Sequence, residues 1–169
     1  MSENNAIMQG GSVAESCVLQ ISDLHKSYGS HPVLEGVSFS IPRGKIVGLL
    51  GPNGCGKSTI MKMISGLLPA DNGSILIDGH LPGLVSKSIV SYLPERTYLN
   101  DWMKVSEVLQ FFSDFYADFD LERAQQMLAD LHLSPNTRLK TMSKGTKEKV
   151  QLILVMSRRA QLYLLDEPI

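Results

Sequence analysis

One run of eight residues constrains this chain more than any other: Gly51-Pro52-Asn53-Gly54-Cys55-Gly56-Lys57-Ser58, of the form G-x-x-x-x-G-K-[ST]. Ahead of it, residues 45–50 read Lys45-Ile46-Val47-Gly48-Leu49-Leu50, a continuous apolar run that predicts a strand buried on both faces. Behind it, Ile60, Met61 and Ile64 share one face of a predicted helix over residues 57–65, which Gly66 and Pro69 stop. Strand, glycine loop and helix in that order form a phosphate cradle. The glycines let successive backbone N–H groups turn inward, and the unpaired amides at the start of the helix favour an anion. Lys57 adds a point charge for terminal phosphates, and the Ser58 hydroxyl is a hard oxygen suited to Mg²⁺.

The rest of the chain supplies a setting for that loop. Alternation over residues 18–22 and 37–41, with Tyr28, Gly29, Ser30 and Pro32 between them, predicts two antiparallel strands. Two further strands are expected at residues 74–78 and 89–93, ended by Gly79 and Pro94. Residues 105–116 and 121–131 then repeat apolar side chains at helical spacing, the second run with Asp120 as its N-cap. A third helix is expected over about residues 143–159, apolar on all sides from Leu152 to Met156. The last strand, Leu162-Tyr163-Leu164-Leu165, ends in Asp166-Glu167, the form of a strand that carries carboxylates to a metal-bound nucleotide. Asp166 is placed to hold the metal and Glu167 to orient or deprotonate an attacking water.

Length and charge remove several classes. A chain of 169 residues supports one substantial core and not two large ones. Sixteen Lys plus Arg against 17 Asp plus Glu leave a net charge of −1, without the field that drives general nucleic-acid binding. No apolar stretch approaches the ~18 residues needed to cross hydrocarbon. The polar opening, Met1-Ser2-Glu3-Asn4-Asn5, is not a secretory signal, so a cytoplasmic address is expected. Cys17 and Cys55 form no metal-binding pair, and His25, His31, His80 and His132 are scattered, as surface or packing residues are.

Between the two acidic and phosphate-binding motifs stands Met142-Ser143-Lys144-Gly145-Thr146, opening the long helix. Together with residues 51–59 and the Asp166-Glu167-Pro168 ending, it resembles the nucleotide-binding domain of an ABC (ATP-binding cassette) transporter over nearly everything after residue 16. Ser143 and Gly145 match that family's LSGGQ signature, Met142 is a conservative change, and Lys144 and Thr146 depart. The resemblance implies an α/β fold: a P-loop NTPase core with a mixed sheet, N-terminal antiparallel strands and a helical insert. The expected division is a flexible tail at 1–16, an ATP-binding core at 17–98, a helical subdomain with the signature helix at 99–158, and a final core strand with metal-binding acids at 159–169.

The resemblance also implies ATP and Mg as cofactors and assigns residues to them. Gly51, Asn53, Gly54, Cys55, Gly56, Lys57, Ser58 and Thr59 line the phosphates, and Tyr28 stacks on adenine, although a strand-edge aromatic taken alone reads as packing. Ser58, Asp166 and Glu95 reach the metal, Glu95 standing where relatives commonly carry the Q-loop glutamine; Lys57 and Glu167 are catalytic. Ser143 and Gly145 would bind the γ-phosphate on an opposite subunit, in a homo- or heterodimer of cassettes; a plain helix N-cap by Ser143 is the simpler reading. Separate transmembrane subunits are the implied partners, with nucleic acid excluded, and the chain would sit on the inner face of the membrane through them. A soluble ATP-binding regulatory module without hydrolysis and a non-transport kinase are the competing functions.

Three smaller expectations remain. Cys55 lies inside the loop beside Lys57, a setting that suits thiol reactivity. Lys140, Lys144, Lys147 and Lys149 cluster around the signature, as on a solvated helix start. The sequence stops two residues after Glu167, so the family's D-loop, switch histidine and final strands are expected to be missing, with ATP binding surviving better than turnover and an uncovered sheet edge favouring self-association.

Overall fold

The structure, a computed structural model, describes residues 17–167; the expected tail at 1–16 and the Pro168 of the acidic ending lie outside them. Strands β1 (Cys17–Tyr28) and β2 (His31–Pro42) form one long antiparallel hairpin. It turns at Gly29, whose φ of 61° is the positive value that a two-residue loop needs. β3 (Asn72–Ile77) pairs with the other edge of β1, giving the order β2-β1-β3. Helix α1 (Lys57–Ile64) lies against this sheet, and α2 (Leu84–Ile89), which the sequence reading missed, leads directly into β4 (Val90–Leu93). β4 pairs in parallel with β5 (Leu162–Leu165), so antiparallel and parallel pairing both occur, in two separate sheets. Between those parallel strands run α3 (Val105–Phe115), α4 (Leu121–Asp130) and α5 (Lys144–Met156). Each predicted helix of this stretch is present, and Asp120 caps α4 by accepting from the Arg123 amide at 3.0 Å.

Two apolar cores follow from this order. In the first, Ile60, Met63 and Ile64 of α1 pack between Leu19, Ile21, Ile75 and Ile77 of the antiparallel sheet and Val90, Leu162 and Leu164 of the parallel pair. In the second, Val108, Leu109 and Phe112 of α3 meet Ala124 and Leu128 of α4 and Val150, Ile153 and Leu154 of α5. Arg158, just beyond α5, joins the two. Its buried guanidinium donates to the Asp118 carboxylate at 3.0 and 3.2 Å, to the Val90 carbonyl at 2.8 Å and to the Ser88 carbonyl at 2.9 Å, and lies 4.1 Å from the Tyr116 ring centroid.

One expectation is overturned. Residues 45–50 are not a strand, and their apolar side chains face solvent, with Ile46 fully exposed and Leu50 91% exposed. Apolar run length reports which side chains gain by burial, but a buried strand also needs hydrogen-bonding neighbours. Among the described residues the parallel sheet consists of β4 and β5 alone, and the first core is already closed by α1. The energetic contrast is direct. Leu154→Ala should cost about 2–5 kcal/mol in denaturant unfolding, whereas Ile46→Ala should change stability by less than about 0.5 kcal/mol; a large loss at Ile46 would show that this segment is packed in solution.

Candidate functional site

The loop between residue 50 and α1 is a cradle by its backbone. Gly56, at the N-cap of α1, has φ 96°, and a side chain there would meet Leu34 Cδ2 at 2.7 Å and Val33 Cγ1 at 3.1 Å, so glycine alone lets the loop lie against β2. A Cβ at Gly51 would likewise strike the Cys55 sulfur, at 2.6 Å. The first turn of α1 has neither a side-chain cap nor an acidic residue, which leaves its amide end electropositive. Lys57 folds back over the loop, donating to the carbonyls of Gly51 at 2.8 Å and Pro52 at 2.9 Å. An arriving phosphate would offer the ammonium a charged acceptor in place of two neutral ones.

Parallel register brings the acids to this cradle. β4 and β5 end side by side, Leu93 opposite Leu165, and the Asp166 amide donates to the Leu93 carbonyl at 2.9 Å. Thus Pro94 and Glu95, which follow β4, stand beside Asp166 and Glu167, which follow β5, and all four line one cavity. Asp166 is only 3% exposed. It accepts from the Ser58 hydroxyl at 2.9 Å and from the Tyr92 hydroxyl at 3.3 Å, and among the described residues it has no ion pair. Burial, followed by the nearby Asp166 charge and its hydrogen bond and then by Glu95, pushes the Tyr92 hydroxyl up to about 12. A buried carboxylate neutralised only by hydroxyls is a place where a divalent cation relieves charge, and the hard oxygens of Ser58 and Asp166 fit Mg²⁺. Glu167 is exposed, with φ 51°, which turns the chain sharply at the mouth of the site.

The remaining predicted residues lie at different distances from this centre. Tyr28 ends β1 at the hairpin tip, 50% exposed, with Lys26 Nζ 6.0 Å from its ring centroid; the hairpin reaches the loop through Val33 and Leu34. Asn53, Gly54 and Cys55 are exposed on the loop, and Thr59 follows Ser58 in α1. Ser143 caps α5, accepting from the Thr146 amide at 3.2 Å, and a side chain at Gly145 would meet open space. That helix start is solvent-facing, and no hydrogen bond among the described residues ties it to the phosphate loop. Sequence reasoning missed Tyr92 and Gln151. A Tyr two residues before Pro94 could have been flagged once the strands were known to be parallel; Gln151, just before the stretch read as apolar, gave no signal.

Residues 34–169 match the family model described as ABC transporter. The SkfA peptide export ATP-binding protein SkfE of Bacillus subtilis is 38% identical over 157 residues, covering 89% of this chain and 66% of that protein. The linearmycin resistance ATP-binding protein LnrL of the same organism is 33% identical over 159 residues, covering 89% of this chain and 51% of that one. A solved structure described as the ATP-binding subunit of an ABC transporter superposes with a TM-score of 0.81 at 32% identity, over 90% of this chain and 67% of its own. The chain thus spans 51% to 66% of the length of these two curated relatives. Two results should follow from the loop. Gly56→Ala should abolish nucleotide binding in equilibrium dialysis, through its positive φ and the collision with β2. Alkylating Cys55 should also block binding, and full binding by quantitatively modified protein would refute the cradle.

Proposed function

Because the chain belongs to the ABC transporter family, we propose that it is the ATP-binding and ATP-hydrolysing subunit of a membrane transporter. The observation that carries this reading is the Ser58–Asp166 hydrogen bond, which joins the start of the phosphate-loop helix to the end of the acidic strand at 2.9 Å. Residues 51–59 hold the triphosphate, Lys57 pairs with its terminal phosphates, and Tyr28 stacks on adenine from the hairpin tip. Ser58 and Asp166, with Glu95 beside them, would hold Mg²⁺, which would supply charge neutralisation for the phosphate oxygens. Glu167 takes a proton from the attacking water as its oxygen bonds to the γ-phosphorus and the bond to ADP breaks, the electron pair leaving on ADP.

The exposed start of α5, with Ser143 and Gly145, faces the γ-phosphate on a second cassette, so that two chains close around nucleotide. Residues 17–98 serve as the ATP-binding core, 99–158 as the helical subdomain and 159–169 as the closing strand. Among the described residues no helix is long and apolar enough to cross a membrane. In this reading the partners are transmembrane subunits on separate chains, which hold this one on the cytoplasmic face. The relative named for peptide export favours export as the direction.

Calorimetry with Mg-ATP on folded chain is the deciding measurement: saturable heat is expected, and its absence would end this reading. Lys57→Ala should weaken binding by at least about tenfold, through loss of charge-assisted hydrogen bonds. Glu167→Gln should keep binding and lower Mg-dependent phosphate release by about 100-fold or more; equal loss of both would remove Glu167 from the chemistry.

A further inference from the structure

Gln151 sits in the middle of α5, a helix whose neighbouring positions are Val150, Leu152 and Ile153. It is 2% exposed, and among the described residues its side-chain nitrogen is the one buried polar side-chain atom without a hydrogen-bond partner. A buried, unpaired amide costs about 1–3 kcal/mol, so its place in an otherwise apolar stretch calls for an acceptor. Gln151 lines the cavity described above, one helical turn from Glu148 and adjacent to Leu152, with Glu95 after β4 and Asp166 and Glu167 after β5 forming the other walls.

The chemistry of the walls selects the occupant. Gln151 is the only amide side chain in the lining, and no Lys, Arg or His lines it; Glu148, one of its four acids, is paired with Lys144 at 3.6 Å. No cationic side chain in the lining would hold an anion inside the cavity itself. The cavity of about 30 Å³ has room for about one water. A water both accepts and donates, as an amide facing carboxylates requires.

Resting on the hydrolytic reading above, we propose that Gln151 is a positioning residue that holds the attacking water against Glu167. Its side-chain N–H donates to one lone pair of the water oxygen. That orients the water's protons toward the carboxylates of Glu167 and Glu95 and leaves the second lone pair free to reach phosphorus. Gln151 thereby lets α5, the helix that begins with Ser143 and Gly145, set the direction of attack.

The test compares the chain carrying Gln151→Leu, Gln151→Met and Gln151→Asn with wild type, and adds a crystal structure of the wild type at a resolution that shows ordered water. For the Leu and Met variants the expected result is a kcat lower by roughly 10–100-fold with KM and the calorimetric Kd for Mg-ATP within about twofold, because misorientation of one reactant acts on turnover and not on binding. Asn, which keeps a shorter amide, should recover part of kcat. In the crystal, a water should lie within hydrogen-bond distance of both Gln151 and Glu167. Wild-type kcat in a folded Leu or Met variant would overturn the proposal. A parallel loss of Kd and thermal stability with kcat would also overturn it, since a purely structural glutamine behaves that way. Were either apolar variant unable to fold, the other variant and the crystal would decide. Wild type that bound Mg-ATP without turnover would instead defeat the reading of this chain as a hydrolase, and absence of the bridging water would defeat this proposal independently of turnover.

Discussion

A serine hydroxyl at the start of α1 and a carboxylate at the end of β5 share a hydrogen bond across 108 residues of sequence. To make it, the helix must begin where the parallel strand stops, and that requirement orders the rest of the site. The phosphate loop is held to the hairpin by the absent side chain of Gly56, which lets Val33 and Leu34 close over it. The acidic strand is held by its register with β4, since Leu93 pairs with Leu165 and its carbonyl takes the Asp166 amide. Asp166 is consequently buried between two hydroxyls, and among the described residues it has no ion pair.

A second junction, at Arg158, relates the helical segment to that centre. One guanidinium satisfies the Asp118 carboxylate between α3 and α4, two carbonyls at the α2–β4 junction and the face of Tyr116, while the Tyr163 hydroxyl donates to the Arg158 carbonyl at 2.5 Å. Arginine suits this place because its planar fork makes several directed bonds at once, which lysine cannot. The far end of α5 is thereby fixed against the strand that leads to Glu95, and the middle of the same helix presents Glu148 and Gln151 to the cavity beside Glu167. Chemistry at the acids and the position of the helical segment share this one helix.

Much of the local structure was legible. Helical spacing located α3, α4 and α5 to within a few residues, because an amphipathic helix writes its buried face into sequence at a fixed period. Asp120 announced a cap that the structure contains. The hairpin was found at its turn, but its strands ran on to 12 residues each, since polar positions such as Lys26 are accommodated by partners far away, here Asp71 at 2.5 Å. Failure came at residues 45–50, where hydrophobicity was read as burial although among the described residues no strand pairs with that run.

By itself the sequence determined the chemistry available: a glycine loop of fixed spacing, a lysine and hydroxyl at its end, and two acids closing an apolar strand. These follow from local requirements, positive φ, an uncapped helix start and a short buried strand, which neighbouring residues alone can meet. Tertiary structure decided which groups meet. The Ser58–Asp166 contact, the Tyr92 hydroxyl on the same carboxylate and the orphaned Gln151 amide join elements 74 to 108 residues apart or depend on the face one helix turns toward two strand ends. Such contacts are set by parallel register and helix packing, and no single stretch of the chain encodes either.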